Sequence, residues 1–516
     1  MCKYAIIIEK YKDILGGKMK RKKMSMIAII IAAVLMITGC SGESKEEYAG
    51  MSIVNNNFFP APEESYVGDP MPFYDEGKFH VFFLDDLRDG QQGYHPWSVY
   101  TTENFYDYQY GKEVIPFADT TQDQDIALGT GSVIKDSNGL YHAFYTGHND
   151  AARSGKPKEA VMHAVSSDLK EWRKIPKDTF DGAAAYSEND FRDPYVLYVE
   201  KEQRYWMLIT TRKADTGVIA KYTSEDLKEW KNEGVFFTND MGTDSNLECP
   251  SLLCYQNKWY LFFSDQWPDR LVHYRVSDKI DGSFDIPEKD VFDSNGFYAG
   301  RAETDGKNLY LVGWNGTKDT YMDDGKYVWA GNLVTHQLLQ REDGSLYPIA
   351  VKSLVEKLNH EVKLKPMGAT EEIEQTKQGC SFSGNGEELL NFKKLKGNYI
   401  LKGTFEKKEA DKFGFTFDLG EKGLGNLNLV FDVKNNKLKF YNGKNIEAGE
   451  PQSEMMLELD EMDRIPFMLM ISDSVVSVYI EESCVLTARM YNVQERPWGI
   501  FGINAKIKVT NLQMYK

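Results

Sequence analysis

The sequence predicts an all-β protein in which a five-bladed β-propeller precedes a C-terminal β-sandwich. Aromatic residues make up 13% of the chain, which favours β-strands. A turn followed by an aromatic strand recurs five times, in a region with no convincing amphipathic helix. Repetition at this period is typical of a propeller with one four-stranded blade per repeat. The five copies are GKFHVFFLDD (77–86), GLYHAFYTGH (139–148), QRYWMLITTR (203–212), NKWYLFFSDQ (257–266) and KNLYLVGWNG (307–316).

Residues 1–40 are predicted to be a signal peptide and not part of the fold. Basic residues at 20–23 precede the apolar run Met24–Met36, and small residues then lead to Cys40. This order is typical of a secretory signal, and the run is too short to span a bilayer. Its ending resembles the lipobox of bacterial lipoproteins, which implies lipidation of Cys40. An uncleaved signal anchor and an ordinary signal peptide are the alternatives.

The protein is therefore expected outside the cytoplasm, anchored to the bacterial cell membrane by a lipid. Residues 41–54 are the predicted tether, which begins with the hydrophilic stretch SGESKEEYAG (41–50). Either Met1 or Met19 is the translation start, because the basic and apolar stretches that follow Met19 form a complete signal on their own.

Length and charge exclude some classes of function. A chain of 516 residues has room for two domains. Its net charge of −17 argues against a nucleic-acid partner, which would recruit basic patches. Cys249 and Cys254 are expected on opposite faces of one strand, whereas pairing of Cys380 with Cys484 stays open. No cysteine cluster has zinc-ligand spacing, and neither a metal nor a cofactor is predicted.

The propeller is predicted over residues 55–355. SSDLKEWRK (166–174) and SEDLKEWKN (224–232) are near copies, in which Trp172 and Trp230 are expected to pack between blades. A polar linker, 356–372, follows. Residues 373–516 show short alternating runs separated by Gly, Asn and Asp, a pattern typical of an antiparallel sandwich that packs on the propeller or helps to bind polymer.

Three acids occupy related places in the repeat. A strand-like segment lies ten to twelve residues before each aromatic strand, and in three of the five segments an acid stands at the matched position: Asp69, Asp193 and Glu248. If the first strand of each blade lines the channel, these carboxylates converge at one mouth of it. A protein core does not need such a cluster, so it indicates chemistry.

Two carboxyl groups in different environments suit the cleavage of a glycosidic bond, which needs a proton donor and a second carboxylate across the ring. Desolvation and neighbouring acids are expected to raise the pKa of Glu248, so that it can act as the acid. Asp69 would remain ionised if backbone amides donated hydrogen bonds to it.

The three acids stand in motifs that resemble those of a known family. Asp69-Pro70, Arg192-Asp193-Pro194 and Glu248-Cys249-Pro250 are similar, in this order, to the signatures of glycoside hydrolase family 32. That family comprises invertases, levanases, inulinases and other β-fructosidases. Gly131-Ser132, HQLLQREDGSLYP (336–348) and the C-terminal runs also resemble the family, so the likeness extends over most of the chain.

The resemblance implies specific roles. Asp69 would be the nucleophile, Glu248 the acid and then the base, and Asp193 the residue that stabilises the oxocarbenium-like transition state. Arg192, which holds the carboxylates, and Ser132 belong to the implied substrate-binding set, and Trp97 is a candidate for stacking on sugar. A retaining reaction follows, with the nucleophile and acid about 5–5.5 Å apart.

Sugar-recognition positions depart from the family pattern. Gly68 replaces the family's Asn before the nucleophile, and Leu84 replaces a Gln. The substrate is therefore open among sucrose and fructans such as levan and inulin. Two other classes remain: an inverting arabinan or xylan hydrolase of the related five-bladed clan, and a lipid-anchored protein that binds fructan without cleaving it.

Overall fold

The structure is a computed structural model that describes residues 51–54, 58–88, 95–151, 154–182, 185–376 and 379–516. Those residues form antiparallel strands with one short α-helix, α1 (Lys352–Val355), and two 3₁₀ turns, Pro176–Asp178 and Tyr491–Val493. The predicted signal peptide, the lipidation site Cys40 and residues 41–50 of the tether lie outside the described residues. The fold class, a five-bladed propeller followed by a sandwich, is confirmed.

Five blades follow one another along the chain, and in each the first strand is innermost. Their strands are β2 (Tyr66–Asp75), β3 (Lys78–Asp86), β4 (Trp97–Thr102) and β5 (Tyr108–Ile115) in blade 1, with β1 (Met51–Val54) on its outer edge; β6 (Ala127–Lys135), β7 (Tyr141–His148), β8 (Glu159–Ser166) and β9 (Arg173–Lys174) in blade 2; β10 (Phe191–Val199), β11 (Arg204–Lys213), β12 (Thr216–Ser224) and β13 (Lys231–Thr238) in blade 3; β14 (Leu247–Tyr255), β15 (Lys258–Asp265) and β16 (Val272–Ser277) in blade 4; and β17 (Tyr298–Thr304), β18 (Leu309–Lys318), β19 (Tyr327–Gln340) and β20 (Leu346–Ala350) in blade 5.

The inner strands close a ring. Each of β2, β6, β10 and β14 packs against the inner strand of the next blade, and β17 packs against β2. One pair of residues, Val67 and Gly331, also joins blades 1 and 5 by strand pairing. Blade 4 differs from the predicted four strands, because its outer edge has only two isolated bridges, at Asp285 and Val291. Pro287 lies between them and lacks the N–H that a continuous ladder requires.

Aromatic side chains fill the space between blades. Trp172 of blade 2 meets Phe82 of blade 1 edge to face, with ring centroids 5.9 Å apart. Trp230 of blade 3 meets Phe144 of blade 2 in the same way at 5.4 Å. The structural role predicted for both tryptophans is therefore confirmed.

The C-terminal sheets form a sandwich around a phenylalanine-rich core. Phe405, Phe413 and Phe431 lie fully buried at its centre. One sheet contains β21 (Glu361–Val362), β23 (Ile373–Thr376), β24 (Gly379–Phe382), β26 (Tyr399–Glu409), β31 (Arg464–Ser472), β32 (Val475–Ile480), β33 (Val485–Arg489) and β35 (Lys506–Tyr515), and the other contains β22 (Pro366–Ala369), β25 (Glu387–Phe392), β27 (Lys412–Phe417), β28 (Leu427–Asp432), β29 (Lys437–Asn442), β30 (Ser453–Met456) and β34 (Trp498–Ile503).

Two predicted connectors contain strands. The end of the tether, Met51–Val54, pairs as β1 with β5. Within the predicted linker, 356–372, β21 pairs with β35 and β22 pairs with β25. The segments predicted as tether and linker therefore carry short strands that pair with a neighbouring sheet.

Buried polar groups join the sandwich to the propeller. Asp293 accepts a hydrogen bond from the backbone N–H of Thr487 at 2.7 Å and lies 3.1 Å from Nε2 of the fully buried His336. The other ring nitrogen of His336 lies 2.9 Å from the hydroxyl of Tyr479. Arg489 donates to the backbone carbonyls of Asn315 and Gly316. Loss of one partner would leave a buried polar group unsatisfied, so this interface is specific.

The cysteines carry no disulfide in the described part of the chain. Cys380 and Cys484 are both buried and both free, so the pairing left open by the sequence is not formed. Cys249 is buried and Cys254 exposed, as expected for opposite faces of β14. Among the described residues, no helix is long and apolar enough to cross a membrane.

Candidate active site

All five inner strands share one irregularity near their first residues. In each blade, the pairing between the first and second strands shifts register across three residues of the first strand, which is a β-bulge. Asp69, Asp193 and Cys249 lie in these bulges with positive φ angles of 36°, 57° and 53°. Such conformations cost roughly 1–3 kcal/mol each in a residue other than glycine and cluster at active sites. The bulges redirect side chains toward the mouth of the channel.

The register corrects one detail of the predicted repeat. Asp69 and Asp193 directly follow the last paired residue before the bulge, whereas the equivalent residue of blade 4 is Cys249. Glu248 stands one position earlier, level with Arg192 of blade 3. The motif prolines Pro70, Pro194 and Pro250 are equivalent in the three strands, and Glu248 lies two residues before its proline where each aspartate lies one before.

Asp69 is surrounded by three side-chain donors. Trp314 Nε1 donates to Oδ1 at 2.9 Å, Trp329 Nε1 donates to the same oxygen at 3.3 Å, and Thr130 Oγ1 donates to Oδ2 at 3.1 Å. All three donors are side-chain groups and not the backbone amides considered from the sequence. Burial and the nearby Asp193 raise the pKa of Asp69 above its usual value, while the three donors lower it. The donors thus favour the ionised form that a nucleophile requires.

Glu248 has the properties expected of a general acid. Its side chain is 15% exposed, and burial raises its pKa to about 7, with Asp193 and Asp69 adding to the rise. Arg192 and a hydrogen bond from Tyr298 act in the opposite direction. The Tyr298 hydroxyl donates to Oε2 at 2.7 Å. The predicted rise of the pKa is confirmed, and its cause is desolvation first and neighbouring acids second.

Arg192 links Glu248 to acids of two other segments. Its guanidinium donates to Glu248 Oε1 at 3.1 Å, to Asp190 at 2.9 Å and to Glu159 at 3.2 Å. Gln266 accepts a further hydrogen bond at 3.3 Å. The side chain is only 14% exposed, so these charge-assisted bonds hold its position firmly. This geometry agrees with the holding role that the family resemblance implies for Arg192.

Asp193 lies between the other two acids. Its Oδ2 accepts a hydrogen bond from the backbone N–H of Cys249 at 2.9 Å, directly beside Glu248. The charge of Asp193 raises the pKa of both Asp69 and Glu248. The three predicted acids therefore converge. Beneath them, the buried Arg301 donates to the backbone carbonyls of Gly131 and Asp193, which ties blade 5 to blades 2 and 3.

Two predicted substrate contacts are corrected. Trp97 is fully buried, its Nε1 donates to the carbonyl of Gly129, and no ring face is available for a sugar. Ser132 is also buried, and its hydroxyl accepts the backbone N–H of Val196 from the next blade at 2.9 Å. Both side chains hold blades together.

Most side chains that contact the acids were not predicted from the sequence. Trp329, Thr130 and Tyr298 were not singled out, although Thr130 and Tyr298 lie in inner strands near the positions of the acids. Trp329 reveals why Gly68 is small: a Cβ at Gly68 would lie 2.3 Å from the Trp329 ring. The Trp329 indole, which donates to Asp69, therefore fills the space that a side chain at position 68 would need. Leu84, the second departure, is buried.

The described residues contain no group of three or more His, Cys, Asp or Glu side chains placed to hold a metal ion. The site instead offers one carboxyl with a pKa near 7, one carboxyl with three donors and a third between them. This arrangement suits proton transfer and nucleophilic attack at a glycosidic carbon. The propeller and its site together define a glycoside hydrolase.

Residues 60–348 match the model of the glycosyl hydrolases family 32 N-terminal domain, and the chain belongs to this family. It is 22% identical over 477 residues to a sucrose-6-phosphate hydrolase of Escherichia coli, covering 86% of this chain and 92% of that one. It is 25% identical over 294 residues to invertase 2 of Saccharomyces cerevisiae, covering 52% of each. Its fold is similar to that of an exo-inulinase from Aspergillus awamori, with a TM-score of 0.68, 16% identity and coverage of 89% and 97%.

Proposed function

We propose that this chain is a retaining glycoside hydrolase that releases fructose from β-fructosides, either sucrose or a fructan. The observation that supports this most directly is the division between two carboxyl groups. Glu248 has a pKa raised to about 7 and can hold a proton near neutrality. Burial raises the pKa of Asp69 as well, and three hydrogen bonds to Asp69 oppose this rise and favour its charged form. Family membership supports the same reaction, and two of its relatives are a sucrose-6-phosphate hydrolase and an invertase.

The reaction would proceed in two steps. Asp69 attacks the anomeric carbon of fructose while Glu248 gives its proton to the departing oxygen, which leaves a fructosyl ester on Asp69. Glu248, now ionised, takes a proton from water as that water attacks the ester carbon and releases fructose. Arg192 holds the Glu248 carboxylate between the steps, and Asp193 stabilises the positive charge that develops on the sugar.

Purified protein tests this with sucrose, inulin, levan and arabinan as substrates. We expect release of fructose, a loss of about 10²–10⁴-fold in kcat for Glu248→Gln, and a comparable or larger loss for Asp69→Asn. Glu421→Gln, at an exposed site of the sandwich, is the control and should behave as wild type. Early NMR spectra should show the β-anomer of fructose. The α-anomer or release of arabinose would indicate the inverting class, and binding without product would indicate a non-catalytic protein.

We further propose that the mature protein is anchored outside the cytoplasm through a lipid on Cys40. The basic stretch, the apolar run and the lipobox-like ending support this. In bacterial cells, labelled palmitate should enter the full chain and the protein should fractionate with membranes. Cys40→Ala should abolish both. Membrane fractionation that survives the substitution would favour an uncleaved signal anchor.

A further inference from the structure

The part of β19 that carries Trp329 is irregular. The register of β19 against β18 shifts just before Gly331, so that residues 328–330 stand opposite a single residue of β18. Ala330, directly after Trp329, has a positive φ of 65°. On the side of β2, β19 pairs only through Gly331. Strand pairing in the described sheet therefore does not fix the backbone of Trp329.

Arg88, two residues beyond the end of β3, reaches this backbone from blade 1. Its Nη2 donates to the carbonyl of Trp329 at 2.7 Å and to that of Ala330 at 3.3 Å. Thr317 adds a longer bond to the Ala330 carbonyl, at 3.4 Å. Carbonyl groups shielded from water need such partners, and a charged donor makes the bond stronger than one between neutral groups. One side chain thus replaces the strand pairing that Trp329 lacks.

Arg88 is itself held from several directions. Its Nε donates to Asp86 Oδ2 at 2.6 Å, and its backbone N–H donates to the other oxygen of that carboxylate at 3.2 Å. Its Nη1 donates to the hydroxyl of Tyr321 at 2.9 Å, and the guanidinium lies 4.4 Å from the ring centre of Tyr66. Arg88 has a positive φ of 46°, a conformation that persists in a residue other than glycine only where its surroundings impose it. These contacts give the guanidinium a fixed position.

The indole that Arg88 holds is a donor to the nucleophile. Trp329 Nε1 donates to Asp69 Oδ1 at 3.3 Å, the longest of the three hydrogen bonds that Asp69 accepts. A small movement of the Trp329 backbone would therefore break this bond before the other two. Each of the three donors lowers the pKa of Asp69, and the nucleophile must be ionised to attack. Loss of the Trp329 bond would raise that pKa and leave the carboxylate less well oriented.

We propose that Arg88 is a positioning residue that holds Trp329 against Asp69 and so keeps the nucleophile charged and oriented. The inference rests on the proposed function and adds to it a residue outside the three acid motifs. Arg88 acts through the backbone of Trp329, so its role does not require contact with the substrate. Asp86 neutralises the charge of Arg88 locally, so the forked geometry of the guanidinium matters more than its charge.

The kinetic experiment measures kcat and KM for fructose release as a function of pH. Arg88→Met keeps an unbranched side chain and removes every donor. We expect it to lower kcat by about tenfold, with little change in KM, because the nucleophile and not substrate binding is affected. The acidic limb of the profile should move upward by about half a pH unit, because Asp69 must be ionised and its pKa rises. Arg88→Lys keeps the charge without the fork, so its limb should also be displaced.

A double-mutant cycle separates this route from others. Trp329→Phe removes the indole donor and retains a ring, and it should displace the acidic limb in the same direction. Adding Arg88→Met to Trp329→Phe should then cause no further displacement, because the two residues act in series. Arg341→Met is the matched control: Arg341, at the other end of β19, lies 4.5 Å from the ring centre of Tyr347 and donates to the carbonyl of Leu346. Its profile should match that of the wild type.

An NMR measurement tests the contact without relying on activity. In protein labelled with ¹⁵N-tryptophan, the indole N–H signal of Trp329 is assigned by its loss in Trp329→Phe. It should move upfield in Arg88→Met, as its hydrogen bond to Asp69 weakens, and stay in place in Arg341→Met. The other indole signals show whether each variant is folded.

Three results would overturn the inference. They are an indole signal and an acidic limb that both stay in place in Arg88→Met, full recovery of the limb in Arg88→Lys, and displacements of Arg88→Met and Trp329→Phe that add in the double variant. A rise in KM with an unmoved limb would likewise place Arg88 in substrate binding and contradict it. A wild type that releases no fructose would refute the proposed function, and the indole signal would still decide whether Arg88 holds Trp329 against Asp69.

Discussion

The hydroxyl of Tyr298 is expected to set the upper pH limit of activity. It donates to Glu248 Oε2 at 2.7 Å and thereby stabilises the ionised form of that carboxyl group. Tyr298→Phe removes this donor and retains the ring. The general acid must be protonated at the start of the reaction, so the pKa of Glu248 marks the alkaline limb of the pH profile, which should lie near 7 in the wild type.

The size of the shift follows from the strength of the lost hydrogen bond. A hydrogen bond to a charged group contributes about 1.5–3 kcal/mol, and one pKa unit corresponds to about 1.4 kcal/mol. The hydroxyl also lies 3.2 Å from the carbonyl of Asp265, which can accept its proton when Glu248 is protonated, so the smaller value applies. We expect the alkaline limb of Tyr298→Phe to move upward by about one unit.

The assay is kcat/KM as a function of pH, from initial rates of fructose release between pH 4 and 10. Tyr141→Phe is the matched control, because Tyr141 donates to Asp75 at the same distance, 2.7 Å, at the far end of β2. Its profile should match that of the wild type. An alkaline limb that stays in place or moves downward in Tyr298→Phe would refute the assignment of Glu248 as the acid.

Three further outcomes are expected. Gly68→Ala should lower activity markedly, because its Cβ would meet the Trp329 ring at 2.3 Å, whereas Gly368→Ala, with open space around the added Cβ, should not; equal activities would contradict this packing argument. Burial lowers the pKa of His163 to about 4, so the folded state binds fewer protons than the unfolded state between that value and about 6.5. The free energy of unfolding, measured by urea titration, should therefore fall as the pH drops through this window, and His163→Gln should reduce the fall. Two carboxylates raise the pKa of His273 to about 9, so its contribution is complete below about pH 6.5 and is lost as the pH rises through 9; an unchanged alkaline loss in His273→Gln would contradict this.

Strand pattern and repeat spacing were enough to predict the ring of blades. Each inner segment is strand-like and lies ten to twelve residues before its aromatic strand, and the aromatic strands recur once per blade. Trp172 and Trp230 were placed correctly because their repeated loops occur in successive blades. The repeat spacing did not predict β1, β21 and β22, because strands of two to four residues are too short to show a recognisable sequence pattern.

Contacts of the acids depended on residues far apart in the chain. Asp69 meets Trp314 and Trp329, which lie 245 and 260 residues away. No local pattern records such a pair, so the contact of Trp329 with Asp69 was not predicted. Trp97 and Ser132 are residue types that often bind sugars. Here they are buried between blades, where their polar atoms make hydrogen bonds to the neighbouring blade.

The order of motifs in the sequence by itself determined the class of fold and the three acids that converge, because a closed ring of repeats brings equivalent positions to one channel. Only the tertiary structure decided which side chains surround each acid, how far Glu248 is from its ordinary pKa, and that Gln452 and Asn492 of the sandwich bond to the loop around Asp323. These depend on desolvation and on hydrogen bonds between distant segments. Such quantities exist only once the chain is folded.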